Sequence, residues 1–396
     1  MKYSAPFRKT PLVLAIAASL ASPILVQAAP GDPLGPEFRV SGGAFPAVAM
    51  DAEGNFVVAW QNVDQSGIGI YAQRYDRAGV AQGTEFQVNT YTTLWQSDPA
   101  VAIDADGDFV VAWTSYDQDG DHEGIFAQRY DRAGVAQGGE FQVNTFTTDQ
   151  QINPAVAMDA EDNFVVAWES CCEGGPNYGV FAQRYNRGGV AQGPEFRVNT
   201  FFTTGGLPTV AIDADGDFVV AWVSYFQDGD YGGIFAQRYN RAGMAQGAEF
   251  QVNTYTTNSQ LYPTVAMDAD GDFVVAWQSR SQDGSDWGIY AQRYNHAGVA
   301  QGTEFQVNTF TTDQQWLPTV AMDATGDFVV AWDSDQDGDG PGIYAQRYAG
   351  PAAGGPLTTV GLYDPAASRF YLRNSHAGGP ADTTFRFGPG GLGWPP

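Results

Sequence analysis

Apolar residues in this chain come in short runs, not at helical spacing. In "FVVAW", Phe109 to Trp113, residues Phe109, Val111 and Trp113 fall on one side of an extended strand, and Val110 and Ala112 on the other. Both sides are apolar, so the strand is expected to be covered on both faces. Around it lie three more runs, "PAVAI", "GIFAQRY" and "EFQV", rich in Val, Ile, Phe and Tyr and separated by Gly, Asp and Asn. That is the chemistry of strands and turns.

The four-run pattern repeats. The "FVVAW" tryptophans are Trp60, Trp113, Trp168, Trp222, Trp277 and Trp332, spaced by 53, 55, 54, 55 and 55 residues. Four strands per unit of this size predict an all-β chain built as a β-propeller, one blade per repeat, with stacked blades covering both faces of each strand. The "EF-x-V" run begins at Glu37, Glu85, Glu140, Glu195, Glu249 and Glu304. Its first copy precedes every tryptophan, and none follows "GIYAQRY" of the last repeat. The count predicts six four-stranded blades, with the N-terminal "EFRV" completing the last blade and removing an open edge.

The turn "DADGD", Asp104 to Asp108, offers alternating carboxylates, as a calcium loop does. Counted from Asp104, however, Gly falls fourth and Ser115 twelfth, where an EF-hand needs Gly sixth and an acid twelfth. Asp-Gly between two apolar runs reads instead as a hairpin with both central residues at positive φ. Asp51, Asp104, Asp159, Asp213, Asp268 and Asp323 recur at its start and are expected to bond their own backbone. Each "AQRY" arginine (Arg74, Arg129, Arg184, Arg238, Arg293, Arg347) is expected to pair with an acid, because a buried guanidinium needs a partner.

Antiparallel strands place the second-to-third-strand loops and the links between repeats on one rim. That rim is where the copies differ, and such loops carry function. It mixes aromatics with acids. Trp95, Tyr116, Tyr225, Trp287 and Trp316 are candidate ligand-binding residues; Asp117, Asp119 and Asp121, and Asp335, Asp337 and Asp339, are candidate calcium ligands. "DQDGDG", Asp335 to Gly340, has Gly at its sixth position, but Ile343 and Gln346 stand at the ninth and twelfth, so a solvated acidic turn competes with calcium there.

Composition narrows the partners. The formal charge is −26. "MKYSAPFRK", the apolar "PLVLAIAASLASPILV" and "VQA" read as a secretory signal peptide over residues 1–28, which predicts a secreted or periplasmic protein. Without Lys2, Arg8 and Lys9 the charge becomes −29, and no lysine remains. Such a surface repels nucleic acid and anionic lipid. No later run is long and apolar enough to insert in a membrane. The adjacent Cys171 and Cys172 are poorly placed for a disulfide and read as a loop insertion. His122, His296 and His376 are far apart in sequence, and no nucleophile motif appears, so no catalytic residue is assigned.

The unit "VAMDADGDFVVAWQS…GIYAQRY…GVAQGTEFQVNT" resembles repeats of large secreted or surface proteins of bacteria, over roughly residues 36–349. The tail "VGLYDPAASRFYLRNSHAGG…" resembles a single FG-GAP-like unit. The expected organisation is a signal peptide at 1–28, a propeller at 29–350, a linker at 351–356 and a short β appendage at 357–396. The function expected from the sequence is a monomeric, non-enzymatic propeller that recognises an extracellular glycan or protein through its variable rim, assisted by calcium. The alternatives are a glycoside hydrolase or lyase acting on polysaccharide, and a purely structural surface protein.

Overall fold

The computed structural model describes residues 38–64, 67–173, 178–201, 205–336 and 342–350, and the strands 362–364, 369–372 and 383–386. All its regular elements are β-strands. Repeat 2 shows the plan: Leu94–Ile103, Phe109–Tyr116, Glu123–Tyr130 and the short Phe141–Gln142 pair antiparallel in chain order. Repeats 3, 4 and 5 each form a separate four-stranded sheet of the same order. Repeats 1 and 2 merge because Gly67–Ile68 pairs in parallel with Leu94–Trp95. A further three-stranded antiparallel sheet, Leu362–Asp364, Arg369–Leu372 and Thr383–Arg386, lies in the tail.

The apolar faces are covered by neighbouring repeats. Trp222 and Phe218 of repeat 4 are buried in one cluster with Val165, Ala167 and Val198 of repeat 3. Across each middle hairpin a Phe stacks on a Tyr, as with Phe109 and Tyr130, whose ring centroids are 4.9 Å apart. The Tyr hydroxyl then reaches back one repeat: Tyr130 Oη donates to the Val88 carbonyl at 3.3 Å and Tyr185 Oη to that of Val143 at 3.1 Å. The "EF" glutamates of repeats 2 to 5 also reach back. Glu140 accepts the Thr90 and Tyr91 amides at 2.5 and 3.2 Å and Gln118 Nε2 at 2.7 Å. Glu249 and Glu304 repeat the contact on Thr200 and Thr254.

Three sequence expectations need correction. The "AQRY" arginines do not pair with acids. Arg74 and Arg238 donate to the carbonyls of Ala133 and Ala297 in the next repeat, both at 2.6 Å. No ion pair among the described residues includes an "AQRY" arginine. Carbonyl oxygens satisfy the guanidinium without bringing a second charge into the interface. The "DADGD" turn is a hairpin whose aspartate bonds the backbone, since Asp104 Oδ1 accepts the amides of Asp106, Gly107 and Asp108 at 2.9, 2.7 and 2.9 Å. Only Gly107, at φ 94°, is left-handed there, so the five-residue loop is wider than the tight turn expected. The third correction concerns the N-terminal strand. Phe38 to Val40 form no strand, and the last repeat is a three-stranded sheet among the described residues. Val40 packs instead against Val58, Trp60 and Tyr75 of repeat 1.

Candidate active site

The innermost strand of every repeat contains an X-Pro pair at a β-bulge. In repeats 2, 4, 5 and 6 the register slips between Ser97 and Ala100, Gly206 and Thr209, Leu261 and Thr264, and Trp316 and Thr319. Proline suits a bulge because it has no amide to leave unpaired. The X residues are Phe45, Asp98, Asn153, Leu207, Tyr262 and Leu317, and all six are left-handed, with φ between 50° and 54°. This conformation is uncommon for any non-glycine residue, and such strain gathers at functional sites. A bulge re-aims its side chain. Here the six X-Pro pairs line one open depression of about 420 Å³.

The residue following each "FVVAW" tryptophan is Gln61, Thr114, Glu169, Val223, Gln278 or Asp333, and three of the six bond to this ring. In repeats 1, 3 and 5 this side chain accepts the X amide of the next repeat. Gln61 Oε1 takes Asp98 N at 3.3 Å, Gln278 Oε1 takes Leu317 N at 2.9 Å, and Glu169 Oε2 takes Leu207 N at 3.2 Å. A carboxamide therefore suffices for the structural task, yet repeat 3 has a carboxylate. Glu169 Oε2 also accepts Asn153 Nδ2 at 3.1 Å. A Cβ on Gly206 would come within 2.1 Å of Glu169 Oε2, so the glycine makes room for the acid. Burial raises the Glu169 carboxyl above its usual range, against the lowering effect of the Asn153 and Leu207 hydrogen bonds. Burial also raises Asp333, the acid of the same register in repeat 6, which pairs across the strands with Trp316.

The predicted ligand-binding aromatics are not brought together. Tyr225 lies in the field of Glu169 and Tyr262, and burial followed by those two groups raises its hydroxyl pKa. Trp316 precedes Leu317 of the ring. Trp95 and Tyr116 pair with each other, centroids 6.2 Å apart, and neither lines the depression. Trp287 packs under the Arg280 guanidinium at 5.9 Å. The predicted calcium aspartates also separate. Asp119 accepts Gln142 Nε2 at 3.2 Å, whereas Asp121 engages His122 Nδ1 at 2.7 Å and the Asp149 amide at 3.1 Å. Asp117, Asp119 and Asp121 form no common ligand cluster among the described residues. Asp335 is half-buried, and Asp337 and Asp339 lie outside the described residues. Among the described residues, two groups bring three donor side chains together: Asp104, Asp108 and Asp162, and Asp149, Cys171 and Cys172.

Sequence reasoning missed Glu169, Asp333 and the X-Pro ring. The signal was present: comparing the residue after each tryptophan singles out two acids among Gln, Thr and Val.

No protein-family model and no curated protein matches the sequence. Among solved structures, a protein of unknown function from Dyadobacter fermentans superposes with a TM-score of 0.53 at 13% identity, covering 77% of this chain and 93% of that one. The α-L-arabinanase of Penicillium chrysogenum, solved with arabinobiose, gives 0.49 at 13% identity over 77% and 93%. The GH93 α-L-arabinofuranosidase of Fusarium graminearum, also solved with arabinobiose, gives 0.47 at 12% over 77% and 92%. The fold is a β-propeller. The neighbours with a named activity are glycoside hydrolases, contrary to the expectation of a non-enzymatic recognition module. At such identities the likeness speaks for the fold alone, and the chemistry has to come from the side chains around the depression.

Proposed function

We propose that this chain is an exported six-bladed propeller glycoside hydrolase acting on an extracellular polysaccharide, with its active site in the X-Pro depression. The observation that carries the reading is Glu169: a carboxyl with a raised pKa, held by two hydrogen bonds to a strained ring, where sibling repeats use glutamine. Glycoside hydrolysis needs one carboxyl that keeps its proton near neutral pH and a second carboxylate across the sugar. Glu169 is the general acid, since burial favours its protonated form. Asp333, in the matching position three repeats away, is the second carboxylate. Tyr262, Phe45 and Leu317 supply apolar walls for sugar faces. Six repeats contributing one X-Pro pair each support the six-blade count, and the basic-apolar leader supports export.

The test is release of reducing ends from a panel of polysaccharides, beginning with arabinan. Glu169→Gln keeps the acceptor for Leu207 N and loses the proton, so the rate should fall by roughly 10²–10⁴-fold with Tm unchanged. Gly206→Ala should displace the Glu169 carboxyl and lower the rate by up to about 10²-fold while the fold persists. Full activity in Glu169→Gln, or no hydrolysis of any polysaccharide by the wild type, would reject the assignment.

A further inference from the structure

The loop that follows Glu169 contains Cys171 and Cys172, which the function above does not use. The backbone there follows a template shared between repeats. Cys172 is left-handed at φ 67°, as are Asp117, Phe226 and Ser281 at the same loop position, at 61°, 65° and 60°. The preceding link has its own left-handed site, occupied by Leu94, Asp149, Asn258 and Asp313 at φ 62°, 59°, 62° and 61°. Main-chain bonds tie loop to link: Cys171 N donates to Gln150 O at 2.7 Å, and in repeat 5 Arg280 N donates to Ser259 O at 2.9 Å. The fold thus brings the same two positions together in repeats 3 and 5. Repeat 3 alone fills them with Asp, Cys and Cys.

As a result, an Asp149 carboxylate oxygen and the sulfurs of Cys171 and Cys172 all lie within 4.8 Å of one another, and all three residues are half-buried. Ligand atoms around a tetrahedral zinc, bonded at about 2.0–2.3 Å, stand roughly 3.3–3.8 Å apart. Small side-chain rotations close that difference. We propose that Asp149, Cys171 and Cys172 form a binding site for a thiophilic divalent cation of the zinc class. Two thiolates select zinc or cadmium over calcium or magnesium, which prefer oxygen. Three protein ligands are enough for zinc when water or another small ligand takes the fourth position. The ion would staple the link at Asp149 to the loop at Cys171, and those two segments also carry Asn153 and Glu169.

The experiment uses the full chain, reduced and metal-free, titrated with cadmium while the thiolate-to-cadmium charge-transfer absorption is followed. Zinc is then added as competitor. The expected result is one equivalent bound, with zinc displacing the cadmium signal. The signal should be lost in Cys171→Ser and Cys172→Ser. Asp149→Asn should weaken binding by more than about tenfold, since even outer-shell partners of a metal are worth roughly 10–100-fold. Zinc should also raise Tm by mass action in the wild type and not in the cysteine variants. Three results would overturn the site: no cadmium signal with the reduced wild type, unchanged affinity in Asp149→Asn, or thiol titration showing the two cysteines joined in a disulfide in the purified protein.

Discussion

Repeats 2 to 5 and the terminal repeats 1 and 6 have nearly the same sequence and different surroundings. In repeat 4 the strand Phe218–Tyr225 is buried at every position but its last, and Gly232–Tyr239 at every position but Arg238. In repeat 6 the matching strand Gly342–Tyr348 has no buried position, and Ile343 is 74% exposed. The innermost strand of repeat 1 exposes Phe45, Val48 and Met50. Glutamates show the same contrast: Glu140 accepts hydrogen bonds from repeat 2's preceding neighbour, while Glu85 of repeat 1 is exposed. The lesson is that a repeat does not stabilise itself. Its neighbours cover it, as in other arrays whose stability is a sum of nearest-neighbour terms.

The contrast can be broken most forcefully in the core. Phe218→Ala should cost about 3–5 kcal/mol in denaturant unfolding, and Ile343→Ala no more than about 0.5 kcal/mol. Equal losses would show that repeat 6 is covered in solution as well as repeat 4. A smaller effect belongs to the inter-repeat glutamates. Glu140→Ala removes the acceptor of the Thr90 and Tyr91 amides and should cost about 0.5–1.5 kcal/mol, whereas Glu85→Ala should stay within about 0.5 kcal/mol. A large cost at Glu85 would mean that it clasps another part of the chain and closes the ring.

The smallest expected effect is a pH dependence from two substitutions peculiar to repeat 3. Glu173 stands where other repeats have Gln118, Gln227 and Gln282, and burial, then the charge of Glu195, pushes its carboxyl up to about 7. Asp162 replaces the hairpin glycine, and its hydrogen bond with Asp104, followed by burial, pushes it up to about 7. A raised carboxyl holds its proton in the folded state after the unfolded chain has lost it. Its contribution is therefore fully present below the usual carboxylate range and is lost as pH rises toward 7. Glu173→Gln and Asp162→Gly should each flatten the fall in Tm between about pH 4 and 7. A slope identical to that of the wild type in both variants would show that these acids ionise freely in the fold.

Much of the architecture was legible because it is written locally and six times. The spacing of Trp60 to Trp332, the doubly apolar "FVVAW" and the turn aspartates specify strands and hairpins without knowledge of what surrounds them. The arginine partners were not legible. A carbonyl from the next repeat leaves no mark in the sequence, whereas acids are abundant and invite pairing. The candidate site was less legible. Aromatic loop residues such as Tyr225 and Trp316 stand out in the sequence but do not line the depression, and Glu169 was hidden beside a conspicuous tryptophan.

By itself, the sequence determined the repeat, the strand and turn pattern, and the acidic surface, because each depends on neighbours along the chain or on composition. The tertiary structure alone decided which side chains meet. It turned six X-Pro pairs into one ring, bonded Glu169 to it, and brought Asp149 to Cys171 and Cys172. Those contacts join residues from different strands and repeats, and only the packing of repeat against repeat fixes the distances on which their chemistry depends.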